Sequence, residues 1–341
     1  MSTSPFVVVG ESLVDIVVDQ QGELSEAVGG SPMNVAVGLA RLDVRSLLVT
    51  RVGDDERGLR VAEHVRASGA ELSPSSVVPG SKTSTATARL DHENAARYEF
   101  DLTWELAHQE LPDTPGLHIG SLGAALAPGR EAVLDLVRQA NDRDIFVSYD
   151  PNIRPAFLGD ERRAWLNVVS LAASSQLVKV SDEDLRLLRP DAALDDLARE
   201  LLAGERTELV IVTRGGEGAT GFGEGYDVSV AAPRVEVVDT VGAGDSFMAA
   251  TLAILADWAL LDRGPGTLAA LGDLRVATLL AGAMSAAAIT CARRGANPPR
   301  RPELPPYSVE SAKAASSGDP ASEGVQPGAD YSASTFAATS L

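Results

Sequence analysis

The chain alternates short apolar runs with longer segments in which apolar residues recur at helical spacing. The short runs are rich in β-branched residues and predict buried strands at Phe6–Val9, Leu47–Arg51, Ile145–Tyr149, Gln176–Val180 and Leu209–Thr213. The longer segments predict helices at Met33–Leu42, Leu59–Ala67, Glu131–Ala140, Glu161–Ala172 and Leu194–Leu202. Because this alternation is typical of strand–helix–strand units on a mostly parallel sheet, the sequence predicts an α/β fold.

One segment departs from this alternation and has the period of two that is typical of a solvent-facing hairpin. Apolar and polar residues alternate through Ser84–Leu90 and again through Arg97–Phe100, with turn-forming residues at 91–94 between them. We therefore expect a separate, small antiparallel sheet in addition to the central one.

Two segments near the end of the chain bear on its domain organisation. Val276–Ala292 is weakly polar and rich in Ala, Gly, Ser and Thr, which favours a buried core helix over a helix that spans a bilayer. Ser308–Leu341 has almost no large apolar residues, too few to offset the entropy of ordering it. The sequence thus predicts one domain over residues 1–307 and a disordered tail over 308–341.

Composition and charge exclude several classes of partner. The chain has 341 residues, of which 45% are hydrophobic, and a formal net charge of −19. A surface that acidic repels nucleic-acid phosphates and anionic lipid headgroups, so we expect neither nucleic acid nor a membrane as a partner. The single cysteine, Cys291, excludes an intrachain disulfide, and the four histidines form no set at zinc-ligand spacing. These features favour a reducing, cytoplasmic setting.

Two common nucleotide-binding motifs are absent or out of context. The three lysines, Lys82, Lys179 and Lys313, never follow a glycine, which excludes a phosphate-binding loop of the Walker type. A dinucleotide-type glycine pattern spans Gly216–Gly221, but the glycine-rich residues after it predict a hairpin where that motif requires a helix. P-loop kinases and dehydrogenases are therefore not favoured.

The segment Val238–Phe247 combines glycines with an acidic residue and leads into an apolar helix at Met248–Leu260. Glycines at 242 and 244 allow successive N–H groups to point to one side, which makes an anion site at the positive end of a helix. The carboxylate of Asp245 repels phosphate but can take the proton of a hydroxyl group. The combination predicts a phosphoryl-transfer site, and the alternative is that Asp245 merely caps a helix.

A second glycine pair, Gly29 and Gly30, precedes Asn34 on the first turn of a predicted helix. The Asn34 side chain has both a donor and an acceptor, and Asp15, after the first strand, can accept hydrogen bonds from two adjacent hydroxyls. These residue types suit the binding of a sugar. The alternatives are a helix N-cap at the first place and a solvated carboxylate at the second.

In chain order, these motifs resemble those of the ribokinase-like (PfkB-type) carbohydrate kinases, over residues 6 to about 300. The motifs that carry this resemblance are Gly29–Asn34, the turn Gly53–Gly58, and Asp239–Asp245. Three more segments resemble the fructokinase branch, namely His118–Leu122, Asp150–Pro155 and Lys179–Asp184. The resemblance implies a three-layer ribokinase-like fold with a mostly parallel central sheet and a small antiparallel β lid from about residues 13–20 and 82–103.

The resemblance also implies a role for individual residues. Asp245 would deprotonate the attacking hydroxyl, while the backbone amides of Gly242, Ala243 and Gly244 hold the charge on the transferring phosphoryl group. The residues implied to bind the sugar are Asp15, Gly30, Asn34 and Arg154. The residues implied to bind ATP are Lys179, Thr213, Gly215, Gly218, Gly244 and Asn297. ATP and Mg²⁺ are the implied cofactors, and a monovalent cation such as K⁺ is allowed.

The chain departs from the fructokinase pattern at two places. The family usually has Asn-x-x-Glu, tied to the magnesium hydration shell, where this chain has Ser181–Asp184, so Asp184 would act on the metal through water. Many fructokinase relatives have a tryptophan shortly after the segment that corresponds to Asp150–Pro155, where this chain has Ala156–Leu158. The second departure leaves the identity of the sugar open.

The predicted function is an ATP- and magnesium-dependent sugar kinase that phosphorylates a primary hydroxyl of a ketose. Fructose is the first candidate for this ketose. A 2-keto-3-deoxygluconate kinase is the alternative within the same class, because Arg154 could pair with a substrate carboxylate. A nucleoside kinase is a further alternative, as is a sugar-binding regulatory protein without activity, although a binder needs no base such as Asp245. The resemblance also allows a homodimer formed through the lid.

Overall fold

The structure is a computed structural model that describes residues 4–90 and 96–306. The turn predicted at residues 91–94 and the tail predicted at 308–341 lie outside the described residues. Both therefore stay predictions from the sequence.

Fifteen strands form three sheets within the described residues. In chain order the strands are β1 (Phe6–Val9), β2 (Leu13–Val18), β3 (Leu24–Gly29), β4 (Ser46–Val49), β5 (Val52–Gly53), β6 (Glu71–Leu72), β7 (Val77–Val78), β8 (Thr85–Leu90), β9 (Ala96–Asp101), β10 (Gly116–Gly120), β11 (Phe146–Asp150), β12 (Leu177–Ser181), β13 (Leu209–Thr213), β14 (Ala219–Gly223) and β15 (Tyr226–Val230). The central sheet has the order β15-β14-β13-β12-β11-β10-β1-β4-β6, and β5 pairs with β7 in a small sheet of two strands. From β13 to β6 the central strands run parallel, whereas β14 and β15 are antiparallel to their neighbours. The mostly parallel sheet predicted from the sequence is confirmed.

Nine α-helices pack on this sheet within the described residues. They are α1 (Ser31–Arg41), α2 (Glu56–Ala67), α3 (Ser121–Ala125), α4 (Gly129–Asp142), α5 (Glu161–Ala172), α6 (Asp182–Leu188), α7 (Leu194–Leu202), α8 (Ala243–Asp257) and α9 (Gly272–Cys291). Short 3₁₀ helices lie at Pro74–Ser76, Pro155–Phe157, Gly215–Glu217 and Arg301–Glu303.

Successive residues of the central strands pack into opposite layers. In β1, Phe6 and Val8 join the apolar layer of α1, α2, α8 and α9, whereas Val7 and Val9 join the layer of α3 to α7. All four side chains are fully buried. Because helices cover both faces of the sheet, most positions of its central strands are apolar rather than only alternate ones, and His118 and Lys179 are among the buried exceptions. The expected three-layer arrangement is confirmed.

The second sheet, which we call the lid, has the strand order β3-β2-β8-β9. The predicted hairpin is present as the antiparallel pair of β8 and β9. However, β2 and β8 pair in parallel, so the lid is a mixed sheet and the expectation of an antiparallel lid is wrong in this respect. The predicted bounds also omit β3, in which only Gly29 is buried and no apolar alternation reveals a strand.

The helix that follows the glycine-rich segment begins earlier than the sequence predicts. It starts at Ala243 rather than at Met248, so Asp245 lies in the first turn of α8 and not in the loop before it. The small and polar residues of this turn hide the start of the helix, because the apolar pattern begins only at Phe247.

By length and composition α9 is a candidate membrane span, the one such helix among the described residues. In the fold it packs against α8 and the strands β14 and β15, and Leu279 and Leu280 are completely buried in the layer that α8 also joins. The predicted core helix is thus confirmed. The hairpin predicted after Gly221 is also present, as β14 and β15.

Candidate active site

The two glycine-rich segments meet at a cavity of about 120 Å³, which we call the central cavity. The lid contributes one wall, and the starts of α1 and α8, the middle of β12, the loop after β11 and the segment after α9 contribute the others. The residues of the predicted site that line the cavity are Asp15, Gly30, Asn34, Arg154, Lys179, Gly242, Gly244 and Asp245. The structure therefore brings together all four predicted sugar-binding residues and the predicted base.

Asp245 is buried and held by two side chains of α1. The Ser31 hydroxyl donates a hydrogen bond to Oδ1 of Asp245 (2.6 Å), and the Asn34 amide donates to Oδ2 (2.8 Å). The residue at the N-cap of α8 is Gly242, and Asp245 does not cap the helix to which it belongs. The alternative that Asp245 is only a helix cap is therefore wrong. Its carboxylate is oriented at the cavity wall by groups 211 and 214 residues away in the chain.

Close packing of α1 on α8 makes these two hydrogen bonds possible. A Cβ atom on Gly38 of α1 would lie only 2.6 Å from the Cβ atom of Ala249 on α8. Because glycine has no side chain at this crossing, the two helices approach closely enough for Ser31 and Asn34 to contact Asp245.

The start of α8 has the geometry of an anion site, with one amide fewer than predicted. Gly242 has φ +75°, a left-handed conformation that glycine adopts without strain. The N–H groups of Gly242 and Gly244 have no hydrogen-bond partner among residues 4–90 and 96–306. The N–H of Ala243, however, donates to the Thr240 carbonyl oxygen (3.2 Å), and Ala243 does not line the cavity. The predicted role of the Ala243 amide is therefore not supported.

Lys179 supplies a positive charge at the same place. Its Nζ lies 3.0 Å from the position that a Cβ atom on Gly244 would take, so any side chain there would crowd the ammonium group. Nζ also donates to the Asp150 carboxylate (2.8 Å), and both side chains are almost fully buried. Burial alone would lower the pKa of Lys179, but the carboxylates of Asp150, Asp184 and Asp245, with Asp150 first, together raise it. The lysine therefore stays charged where phosphate would bind.

Asp15, on β2 of the lid, has an unused acceptor at the wall of the central cavity. Its Oδ1 atom is buried and has no hydrogen-bond partner among the described residues. Burial raises the pKa of Asp15 to about 6, and the positive charge of Arg154 opposes this increase. An unpaired carboxylate of this kind is costly to bury and suits a ligand that donates hydroxyl groups.

Arg154 follows β11 on a loop that also contacts the lid. Its Nη1 atom donates to Oδ1 of Asn152 (2.7 Å), which fixes the direction of the guanidinium. Further along the same loop, the ring of Phe157 packs edge-on against Phe100 of β9, with ring centroids 4.8 Å apart. The lid thus rests on the loop that presents Arg154 to the cavity.

Asp184, the predicted water-mediated metal ligand, has a structural role in this fold. It accepts hydrogen bonds from the N–H groups of Ile153 (2.8 Å) and Ser181 (3.3 Å), and the Ser181 hydroxyl accepts from the N–H of Asp184 in return. This is a capping box at the start of α6. The described residues contain no cluster of three or more acidic, histidine or cysteine side chains that could hold a metal by themselves.

Comparison with known proteins decides the class of this site. The family model for the pfkB family of carbohydrate kinases matches residues 5–303. A fructokinase of Rhizobium leguminosarum bv. trifolii is 35% identical over 260 residues, which cover 72% of this chain and 78% of that protein. This chain belongs to the PfkB family. It is an ATP-dependent carbohydrate kinase, as the sequence predicts, and the alternative of a binding protein without activity is not supported.

Solved structures confirm the fold of this PfkB kinase. A fructokinase from Xylella fastidiosa with bound ATP matches with a TM-score of 0.75 at 23% identity, over 90% of this chain and 97% of that one. A fructokinase double mutant from Vibrio cholerae O395, bound to fructose, ADP and potassium ion, matches with a TM-score of 0.74 at 24% identity. That match covers 86% of this chain and 94% of the other. At these identities the likeness concerns the fold alone.

Four of the predicted ATP-binding residues of the kinase do not line the central cavity. They are Thr213, Gly215, Gly218 and Asn297. Thr213 ends β13, and Gly215 and Gly218 belong to the turn that leads into β14, where Gly215 is exposed and Gly218 is buried. Asn297 is exposed, and its Oδ1 accepts a hydrogen bond from Arg41 (2.5 Å). No contact in the structure tests their nucleotide role, which stays a prediction.

The sequence missed several residues that organise the site of the kinase. Ser31, Asp150 and Asn152 lie in segments that carry the family resemblance, but no role was assigned to them. Position alone could have pointed to Asp150 and Asn152, because they end a buried parallel strand and begin the loop after it. Glu11 is also buried, accepts a hydrogen bond from the N–H of Gly123 (2.7 Å), and has a pKa that burial raises to about 7.

Proposed function

We propose that this PfkB kinase is a fructokinase, which transfers the γ-phosphoryl group of ATP to a primary hydroxyl of fructose. The observation that carries the proposal is the placement of Asp245 at the wall of the central cavity, buried and held by two donors, with the unpaired acceptor of Asp15 lining the same cavity. The relative that is 35% identical is named a fructokinase, and this supports fructose as the acceptor.

In the proposed reaction Asp245 accepts the proton of the attacking hydroxyl group. The hydroxyl oxygen forms a bond to the γ-phosphorus, the bond from this phosphorus to the bridging oxygen breaks, and ADP leaves with the electron pair. The hydrogen bonds from Ser31 and Asn34 hold the carboxylate in one orientation, which limits the cost of aligning base and hydroxyl in the transition state.

Positive groups at the start of α8 balance the charge that develops on the phosphoryl oxygens. The free N–H groups of Gly242 and Gly244 and the ammonium of Lys179 lie on one side of the cavity, at the positive end of the helix dipole. Asp150 keeps Lys179 charged and in place. The lid would exclude water so that the phosphoryl group is not lost to hydrolysis.

The sugar is tested by measuring ADP release with fructose, ribose, tagatose, 2-keto-3-deoxygluconate, adenosine and aminoimidazole riboside. We expect the highest kcat/KM for fructose. A higher kcat/KM for any other member of the panel would contradict the fructokinase proposal while leaving the kinase class intact.

A 2-keto-3-deoxygluconate kinase remains the second candidate, because of the position of Arg154. Its guanidinium lines the central cavity, and one nitrogen is already bonded to Asn152. A guanidinium in a fixed direction can bind a substrate carboxylate through two parallel hydrogen bonds. The same substrate panel separates this candidate from a fructokinase.

Magnesium is proposed to accompany ATP, and the residues present fit this role. Mg²⁺ is usually held by nucleotide phosphates with only one or two carboxylates, so a three-carboxylate cluster is not required. The Asp184 carboxylate contributes to raising the pKa of both Asp150 and Lys179, and this proximity to Lys179 supports a role near the phosphates. Asp184 would hold the ion through water, and bound Mg²⁺ supplies neutralising charge. Chelation by EDTA should abolish ADP release.

Three further proposals concern the surroundings of the enzyme rather than its chemistry. Potassium dependence is supported by the fructokinase structure that contains this ion, and exchange of K⁺ for choline tests it. A homodimer through the lid is supported by the exposed Leu24 of β3, and sedimentation of a Leu24→Glu variant tests it. Cytoplasmic location rests on the single cysteine and is tested by cell fractionation.

A further inference from the structure

A second cavity lies beside the central cavity and shares part of its wall. It has a volume of about 420 Å³, larger than the central cavity, and is formed between the starts of α4 and α5 and the loop after β11. Asn152 and Arg154 line both cavities. We call it the arginine cavity, after Arg130, Arg154 and Arg163 in its wall.

The charged groups of this wall leave positive charge without a close partner. The two carboxylates there are Glu131 and Asp160. Glu131 is 71% exposed and 3.5 Å from Nη1 of Arg130, while Asp160 accepts a hydrogen bond from the N–H of Arg163 as the N-cap of α5. The Nε atom of Arg130 is buried and has no hydrogen-bond partner within the part of the chain that the structure describes.

Two helices add to this positive potential. Arg130 is the second residue of α4 and Arg163 is in the first turn of α5, so both helices present their positive ends at the cavity. Both are at least 12 residues long, so the partial charge at each end is developed. A negative group in the cavity would therefore be favoured by three guanidinium groups and by two helix dipoles.

The rest of the wall is apolar, which restricts the kind of anion. Leu122, Ile153, Leu158, Val168 and Leu171 line the cavity between the arginines. A bare inorganic ion would leave this apolar surface in water, whereas an organic body would cover it. The volume lies in the usual range for small-molecule sites.

We propose that the arginine cavity binds a small organic anion, an apolar body with a phosphate or carboxylate group, while the sugar and the phosphoryl group that it receives meet at the central cavity. The anion is coupled to the sugar through Arg154, because one guanidinium lines both cavities. An anion in the arginine cavity competes with the sugar for the charge and the N–H donors of this one guanidinium, which raises the KM for the sugar. Only this coupling rests on the proposed function, and the binding itself does not.

Binding is tested by calorimetry with phenyl phosphate, with the nucleotide site filled by a non-hydrolysable ATP analogue. We expect binding to the wild type and a loss of about tenfold in affinity, or ~1.4 kcal/mol, in Arg130→Ala and in Arg163→Ala. Arg162→Ala is the matched control, because Arg162 precedes Arg163 on the same helix but is exposed and does not line the cavity. Arg163 is itself exposed, so its replacement leaves the fold intact.

Several outcomes would overturn the proposal. Absence of measurable binding at millimolar phenyl phosphate would do so, as would equal affinity of wild type, Arg130→Ala and Arg163→Ala. Equal binding of benzyl alcohol would show an apolar site rather than an anion site.

Coupling is tested separately by the KM for the best sugar of the panel, with and without phenyl phosphate. We expect an increase in the wild type and in Arg162→Ala, and a smaller increase in Arg163→Ala at the same concentration of phenyl phosphate. An unchanged KM in the wild type would refute the coupling. Whether the arginine cavity binds the anion would still be decided by calorimetry. Because calorimetry requires no turnover, failure of the fructokinase proposal and failure of the anion site are distinguishable.

Discussion

The orientation of the Asp245 carboxylate is set by neighbouring side chains from another helix. In the sequence it is one acidic residue among 48. In the fold it is buried, and each oxygen accepts one hydrogen bond from α1. A carboxylate oxygen has two lone pairs, so each oxygen can still accept the proton of a hydroxyl group in the cavity. The residues Ser31 and Asn34 thus position the proposed base without neutralising it.

Replacement of this base should affect turnover far more than binding. We expect Asp245→Asn to lower kcat by a factor of about 10² to 10⁴, the usual contribution of a positioned base, with the KM for ATP little changed. Steady-state ADP release measures both constants, and thermal unfolding checks that the fold is retained. A variant that keeps more than about half of the wild-type kcat would rule out a role as the base.

The affinity for the sugar should depend on pH through Asp15. Burial raises the pKa of Asp15 to about 6, so its carboxylate is ionised above this pH and protonated below it. Protonation removes acceptor capacity, and the KM for the sugar should therefore rise as the pH falls through about 6.

The variant Asp15→Asn assigns this effect. Burial also raises the pKa of Asp150 to about 6 and that of Glu11 to about 7, so either could produce a similar profile. We expect the rise in KM at low pH to be present in the wild type and absent in Asp15→Asn. The same profile in both proteins would assign the titration to another group.

At the scale of elements, the loop after β11 connects three parts of the site. It carries Arg154 at the cavity wall. The N–H of Ile153 donates a hydrogen bond to Asp184 in the capping box of α6, and the ring of Phe157 packs on the lid. Each contact restricts the loop from a different side. The direction of the guanidinium is therefore a property of the loop and its neighbours rather than of Arg154 alone.

Arg154→Lys should distinguish neutral from acidic substrates. Lysine keeps the charge but loses the planar pair of donors, so a substrate carboxylate should lose about 10²-fold in kcat/KM and a neutral ketose less than about tenfold. The kcat/KM for fructose and for 2-keto-3-deoxygluconate is compared in wild type and variant, with Arg162→Lys as the control. Equal losses for both substrates would mean that Arg154 does not contact the distinguishing end of the sugar.

At the scale of the whole molecule, the apolar layer of α1, α2, α8 and α9 fixes the position of α8, the helix that contains Asp245. Within this layer Leu279 of α9 is completely buried, whereas Leu274, on the same helix, is 43% exposed. The layer holds α8 against α1, and this packing is what brings Asp245 to its two donors.

This arrangement predicts different costs for two similar substitutions in α9. Leu279→Ala should lower the free energy of unfolding by about 2–5 kcal/mol, because it leaves a cavity in a packed layer. Leu274→Ala should cost no more than about 0.5 kcal/mol. Chemical denaturation of both variants measures the difference, and equal costs would contradict the assignment of α9 to the core.

The sequence by itself determined the elements whose pattern is local. The strands of the central sheet are apolar at most positions because they are buried on both faces, and α9 shows its core character by composition. The glycines and Asp245 are contiguous in the chain, so their joint chemistry is visible before any folding is considered. The residues predicted as the base and as the four sugar-binding residues therefore all line the central cavity.

Only the tertiary structure decided which groups contact one another over long separations in the chain. The two donors to Asp245, the pairing of Lys179 with Asp150, and the parallel pairing of β2 with β8 each join segments that have no local pattern in common. The arginine cavity likewise exists only because α4, α5 and the loop after β11 pack together. Local periodicity reports which side of an element is buried, but contacts between elements follow from how their surfaces fit, and one segment of sequence does not encode that alone.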